Sequence, residues 1–109
     1  DHWQALGGKD VEIAGQRVGL RCQTPDFLPM AGPLPDPSHI PHTIMDSVYL
    51  NLAHGSRGLT HTPLCADLIA DAATGMTPFV DQELLDALAP ERFILRKRRR
   101  NPEWLPGMD

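Results

Sequence analysis

The stretch that decides the fold is residues 52–60, LAHGSRGLT, and the segments on either side of it show what it joins. Before it, residues 47–53 (SVYLNLA) alternate apolar and polar side chains, the period of a half-buried strand. After it, Thr62 is a candidate N-cap with Pro63 at the first helical position, and apolar side chains recur at helical spacing from about 62 to 73. The pattern therefore predicts a strand, a glycine-rich turn and a helix.

Two further segments lie on the N-terminal side. Residues 11–13 (VEI) and 18–23 (VGLRCQ) alternate in the same way and flank a plausible turn at 14–16, so they predict a β-hairpin. Prolines then stand at 25, 29, 33, 35, 37 and 41. Because proline breaks helices and removes backbone donors from central strands, residues 24–41 are expected to form a long loop.

On the C-terminal side, Gly75 is expected to end the main helix and Asp81 to cap a shorter one that Pro90 stops. Residues 93–95 (FIL) then predict a short strand. The expected fold class is α+β: a small antiparallel sheet from residues 11–23 and 47–53, one main helix and a short second helix. The expected core consists of Leu50, Leu52, Leu64, Leu68 and Ile69.

Composition limits the function classes that remain. The chain has 109 residues, 41% hydrophobic and 22% charged, and no apolar run of the roughly 18 residues that a membrane span needs. Its start, DHWQ, resembles neither a natural N-terminus nor a signal peptide. Cys22 and Cys65, without a CxxC pair, predict two reduced, buried thiols in a cytoplasmic protein.

The charges divide the chain in two. Residues 1–91 carry 12 acidic and 4 basic side chains, whereas residues 92–109 carry 6 basic and 2 acidic ones. A dense cationic segment can bind RNA through its phosphates, although a solvated tail is the simpler interpretation. The candidate RNA-binding residues are Arg96, Lys97, Arg98, Arg99 and Arg100.

The glycine turn, defined as residues 55–59 (GSRGL), is the best candidate for chemistry. A strand, a tight turn and a helix N-terminus direct backbone N–H groups and the positive end of a helix dipole at an anionic or electron-rich ligand. A plain strand-to-helix turn is the alternative. Histidines at 39, 42, 54 and 61 lack the spacing of a metal site, so no metal is expected, and no catalytic side chain is assigned.

Residues 21–32 (RCQTPDFLPMAG), followed by 55–59 and by the helix containing LCADLIA, resemble the D-amino-acid-oxidase-type flavoenzyme family. More narrowly, they are similar to the oxidoreductase domain of bifunctional enzymes that modify the tRNA wobble uridine. The resemblance covers most of 18–97, with a poor match at 33–43. It implies a C-terminal piece of an FAD fold: residues 1–46 end the substrate-domain sheet, 47–95 belong to the FAD domain and 96–109 form a basic tail.

The resemblance also implies an activity. FAD would take a hydride from a carbon attached to nitrogen, and water would hydrolyse the resulting imine. In the narrower family the substrate is carboxymethylaminomethyl-uridine in tRNA, which loses its carboxymethyl arm as glyoxylate, and the product passes to a fused methyltransferase domain. Arg21 and Arg57 would clamp the carboxylate, and the residues implied beside the flavin are Pro29, Gly32, Gly55, Ser56, Arg57, Gly58 and Leu59.

The family's dinucleotide-binding GxGxxG turn does not occur among the nine glycines. We therefore expect the isolated chain neither to retain FAD nor to catalyse alone, and to depend on the rest of a parent polypeptide. Two alternatives remain: a glycine-oxidase-like enzyme for a free amino acid, and a small RNA-binding module.

Overall fold

The computed structural model describes residues 12–36, 38–39 and 43–108, together with Ala5 and Gly7. Within these residues, strands β1 (Met30–Asp36) and β2 (Thr43–Leu52) form one antiparallel sheet. Three helices follow: α1 (Gly58–Thr74), α2 (Gln82–Leu88) and α3 (Arg92–Arg100). The predicted α+β class is confirmed.

The strand β1 corrects the expectation of a loop through the proline-rich segment. It pairs with β2 from Met30↔Leu52 to Asp36↔Thr43, with a break in register between Pro33 and Pro35. A strand with one neighbour leaves half of its N–H groups without a ladder partner in any case, so proline is tolerated there. The prolines exclude a central strand, and β1 is an edge strand.

The predicted hairpin of residues 11–23 is wrong for the described residues 12–22, which form no strand. Val18 is 99% and Ile13 86% exposed, so the alternating apolar side chains have nothing to cover them. Only Gln23 forms an isolated antiparallel bridge, to His54. The period of two was present, but a strand also needs a partner strand. Val11 lies outside the described residues.

Helix α1 begins four residues before the predicted cap. Its N-cap is Arg57, whose side chain makes no capping hydrogen bond, so Thr62 does not cap the helix and Pro63 lies inside it. Pro63 is the sixth residue of α1, beyond the first turn, so its missing N–H removes the intrahelical donor to the Leu59 carbonyl. The predicted end is confirmed, because Gly75 adopts a left-handed conformation and its N–H bonds to the Asp71 carbonyl.

The shorter helices give one confirmation and one correction. Asp81 caps α2 by accepting a hydrogen bond from the Leu84 N–H at 3.0 Å, as predicted. The strand predicted for 93–95 is wrong, since these residues belong to α3. Arginine and lysine favour helix, and the run of five basic residues extends the helix through the apolar triplet.

The core lies between α1, α2 and β1. Its buried members are Ala31, Cys65, Leu68 and Leu88, and half-buried apolar side chains pack around them: Leu64, Ile69, Val80, Leu84 and Leu85. Three predicted core residues belong to this group, whereas Leu50 and Leu52 are only half-buried outside it. Cys65 is buried as expected but Cys22 is exposed, and both are free thiols. No helix in the described part of the chain is long and apolar enough to cross a membrane.

Candidate functional site at the start of helix α1

The glycine turn is held against the segment that precedes β1. The Gly55 N–H donates to the Cys22 carbonyl at 3.2 Å, and Gln23 bridges His54. Ala53 and Gly55 both have positive φ, 62° and 61°, and glycine adopts this conformation without the steric cost that alanine incurs. Two left-handed residues so close together turn the chain sharply from β2 into α1.

The first turn of α1 leaves backbone donors uncovered. The N–H groups of Thr60 and His61 both bond to the Arg57 carbonyl, at 3.1 and 3.0 Å. Across the described ranges, no acceptor bonds to the N–H of Gly58 or Leu59. No acidic side chain lies in this turn, so the positive end of the dipole is not compensated from within the helix.

The predicted ligand-binding residues near this turn are accessible. Arg21, Ser56, Arg57 and Leu59 are exposed, and Leu59 is fully so. The hydrogen bond between Gly55 and Cys22 places Arg21 on a backbone segment next to the turn that carries Arg57. The structure therefore brings together the two segments from which the carboxylate clamp was predicted.

Pro29 and Gly32 lie at the same end of the sheet but are buried. Pro29 lines a cavity of about 280 Å³ with Thr60 and His61 of α1, so it packs against the start of that helix. Gly32 has φ 144°, and a Cβ there would lie 3.4 Å from Cδ of Pro90. Pro29 therefore lies near the start of α1, whereas the neighbour of Gly32 is Pro90 and not the glycine turn.

A second, smaller cavity of about 120 Å³ opens beside the turn, lined by Gln23, Phe27, His54, Ser56 and Arg57. His54 Nε2 lies 2.7 Å from the Asn51 amide oxygen. The other ring nitrogen, Nδ1, is buried and makes no hydrogen bond to any residue that the structure describes. Sequence reasoning did not select Gln23, Phe27 or His54 for this pocket.

A network centred on Asp26 was also missed. The carboxylate accepts from Nε and Nη2 of Arg92, at 2.9 and 3.1 Å, and from Nη1 of Arg96 at 2.8 Å. Arg92 is buried, and its hydrogen bonds lower the pKa of Asp26 well below its usual range. The signal that could have found the turn is Thr24 with Asp26 between prolines, which favours side-chain-to-backbone bonds.

The basic residues of α3 are not equivalent. Arg96 donates a hydrogen bond to Asp26, and Arg98 donates one to the Pro102 carbonyl at 3.2 Å. The Lys97 ammonium lies 5.3 Å from the ring centroid of Trp104. Arg99 and Arg100 are exposed. The predicted RNA-binding segment is thus a helix in which some cations hold the fold. Among the described residues there is no cluster of three metal-ligating side chains.

Comparisons with known proteins identify the family. Residues 2–72 match the family described as FAD dependent oxidoreductase. A tRNA 5-methylaminomethyl-2-thiouridine biosynthesis bifunctional protein MnmC from Stutzerimonas stutzeri (strain A1501) is 35% identical over 104 residues, 80% of this chain. Proteins of the same name from Campylobacter hominis and Methylobacillus flagellatus are 32% identical over 84% and 37% over 74% of the chain, respectively.

The chain spans only 16% of the first of these relatives and 14% of the third. No solved structure matches it.

Proposed function

Because this chain belongs to the FAD-dependent oxidoreductase family, we propose that it forms part of a flavoenzyme that acts on tRNA. The substrate would be carboxymethylaminomethyl-uridine at the wobble position, and the reaction would remove the carboxymethyl group. The MnmC relatives support this proposal, since their name describes tRNA modification by a bifunctional protein. The remainder of the complete protein would supply the rest of the FAD site and a methyltransferase domain.

The observation that carries the proposal is the uncovered start of α1. When bound, FAD supplies the hydride acceptor for the carbon next to the amine nitrogen. The N–H groups of Gly58 and Leu59 and the helix dipole would stabilise negative charge on the flavin edge. The residues present fit such a ring, because no described residue accepts from the N–H groups of Gly58 and Leu59, while the Cβ positions of Gly55 and Gly58 face Gln23 and His54 of the chain itself. Pro29 would support this surface from beneath.

The two exposed arginines would bind the substrate's carboxylate. A guanidinium forms two parallel hydrogen bonds to a carboxylate, which fixes orientation as well as charge. Arg57 stands at the N-cap of α1 and Arg21 on the neighbouring segment, so a carboxylate between them would lie close to the helix start. Binding at this point would hold the carbon–nitrogen bond against the proposed flavin position.

The test uses the complete protein with its flavin, mixed anaerobically with tRNA that carries the carboxymethylaminomethyl group. Replacing Arg57 by Ala or Lys, or Arg21 by Ala, should raise the substrate concentration needed for half-maximal flavin reduction by about tenfold or more, since each loses a charged, bidentate contact. Arg17→Lys is the matched control, because Arg17 is an exposed arginine of the same N-terminal segment outside the resembling motif.

Wild-type flavin that stays oxidised with this tRNA but is reduced by a free amino acid would instead establish the glycine-oxidase-like alternative. Normal tRNA oxidation in the variants of both Arg21 and Arg57 would show that neither arginine binds the substrate's carboxylate. The family's FAD dependence leaves the third interpretation, a small RNA-binding module, without support.

We further propose that tRNA phosphates contact the exposed face of α3 and that the protein works in the cytoplasm. The free thiols of Cys22 and Cys65 suit a reducing compartment. The net basic charge of residues 92–109 suits a polyanion. Arg99 and Arg100 are the strongest candidates, since Arg96 and Arg98 already bond within the chain.

A further inference from the structure

Phe27 has an unusual backbone and an unusual exposure. Its φ is 63°, a left-handed conformation that a bulky side chain rarely adopts, and 70% of the residue is exposed. Burial of the ring does not offset the steric cost. Backbone strain of this kind persists where the surroundings impose it, and it is concentrated at functional sites.

The surroundings of Phe27 do impose it. Its own N–H donates to the Thr24 carbonyl at 3.1 Å. On one side Asp26 is held by Arg92, and on the other side Nη2 of Arg92 donates to the Leu28 carbonyl at 2.9 Å. One buried guanidinium therefore fixes both sequence neighbours, and the Phe27 ring projects from a rigid support.

The ring forms one wall of the 120 Å³ cavity beside the glycine turn. Cavities that hold drug-sized ligands measure about 300–1,000 Å³, so this one suits a single ring and is too small for a dinucleotide cofactor. The other lining residues carry polar side chains: Gln23, His54, Ser56 and Arg57.

We infer that Phe27 is a stacking platform for the pyrimidine ring of an RNA-borne substrate, with Gln23 and Ser56 contacting the edge of the base. The inference rests on the proposed function and sharpens it. Arg57 would bind the carboxylate while Phe27 binds the base, so a free amino acid would satisfy only the first of the two contacts. Proteins that recognise unpaired bases commonly stack them on aromatic side chains.

The experiment uses the complete protein with its flavin and an anticodon stem-loop RNA that carries the modified uridine. Affinity is measured from the change in flavin fluorescence, in wild type, Phe27→Leu, Phe27→Gly and Phe27→Tyr. Glycine adopts a left-handed φ without strain, so Phe27→Gly removes the ring without penalising the fold. Phe79→Leu is the matched control, because Phe79 is 77% exposed and lines none of the cavities described above.

Loss of the stacked ring should weaken RNA binding about tenfold in Phe27→Leu and Phe27→Gly, since stacking on one base carries binding energy of this order. Phe27→Tyr and Phe79→Leu should bind like wild type. The inference is overturned if wild type oxidises the RNA and Phe27→Gly binds it within about twofold of wild type. If wild type neither binds nor oxidises the RNA, the proposed function fails first and the inference with it.

Discussion

In one corner of this small fold charged groups bond to each other, and in another corner polar and charged groups are left to solvent. In the closed corner, Asp26 forms ion pairs with Arg92 and Arg96, and both oxygens of its carboxylate accept hydrogen bonds from within the chain. In the open corner, the glycine turn and the start of α1, the N–H groups of Gly58 and Leu59 and the Arg57 guanidinium make no such bonds within the described residues. Paired charges hold structure together, whereas donors left to solvent are available to a ligand.

The two corners are also connected. The closed corner fixes the turn of residues 24–28, and that turn carries Phe27 to the edge of the cavity beside Arg57. A residue of the closed corner can therefore affect ligand binding only through position, while a residue of the open corner can affect it by contact. Variants in the two corners should therefore differ in how they affect ligand binding.

The largest effect is expected from Asp26→Asn. The substitution leaves the buried Arg92 without a counter-charge, and breaking a buried ion pair in this way costs about 3 kcal/mol of unfolding free energy. Urea unfolding of the chain, followed by helical circular dichroism, measures it. Asp67→Asn on the exposed face of α1 is the control and should unfold like wild type. Equal midpoints for the two variants would mean that the closed corner does not hold the fold.

The same carboxylate predicts that the unfolding free energy decreases in acid. Because the folded state lowers the pKa of Asp26, its contribution is fully present above the ordinary carboxyl pKa of about 4 and is lost as pH falls toward the folded value. Unfolding free energy should therefore decline below about pH 4 in wild type and decline less in Asp26→Asn. Urea titrations at a series of acidic pH values test this, and parallel curves for the two proteins would contradict it.

Local signals in the sequence predicted much of this fold. Gly75 and Asp81 each stop or start a helix through bonds to residues three or four positions away, so their roles could be read from neighbours. Arg92 and Asp26 are separated by 66 positions, and nothing local indicates their contact. For Val18, the alternation was real but no strand covers it.

The candidate site divides in the same way. The glycine turn was predicted because glycine spacing and helix capping are local properties. Phe27 was not selected because its importance comes from a backbone angle and from the approach of His54, 27 positions away. Sequence analysis thus found the backbone of the site and missed the side chains that tertiary contacts bring to it.

A smaller effect should separate Gly32 of β1 from Gly55 of the open corner. Gly32, with φ 144°, lies in a region that only glycine occupies easily, so Gly32→Ala should cost about 2 kcal/mol of stability although a Cβ would make only an ordinary contact with Pro90. Gly55, with φ 61°, needs only the milder left-handed form, and its Cβ would meet the movable end of Gln23, so Gly55→Ala should cost about 1 kcal/mol. Urea unfolding should rank them in this order. In the complete protein, Gly55→Ala should impair flavin reduction more than its stability cost explains, since the added methyl lies at the open corner.

The smallest effect is expected from the basic residues of α3, whose contacts within the chain differ. Arg96 donates to Asp26, whereas Arg99 and Arg100 have no role in that network. If Arg99 and Arg100 contact tRNA phosphates, the double variant Arg99→Gln with Arg100→Gln should make log affinity fall less steeply with log salt in the complete protein. The magnitude of the slope should decrease by about 1 to 2, because fewer counterions are released on binding. Arg96→Gln should change the slope less and lower stability instead. Affinity measured over a salt series distinguishes the two tasks, and an unchanged slope in the double variant would show that α3 does not face the RNA backbone.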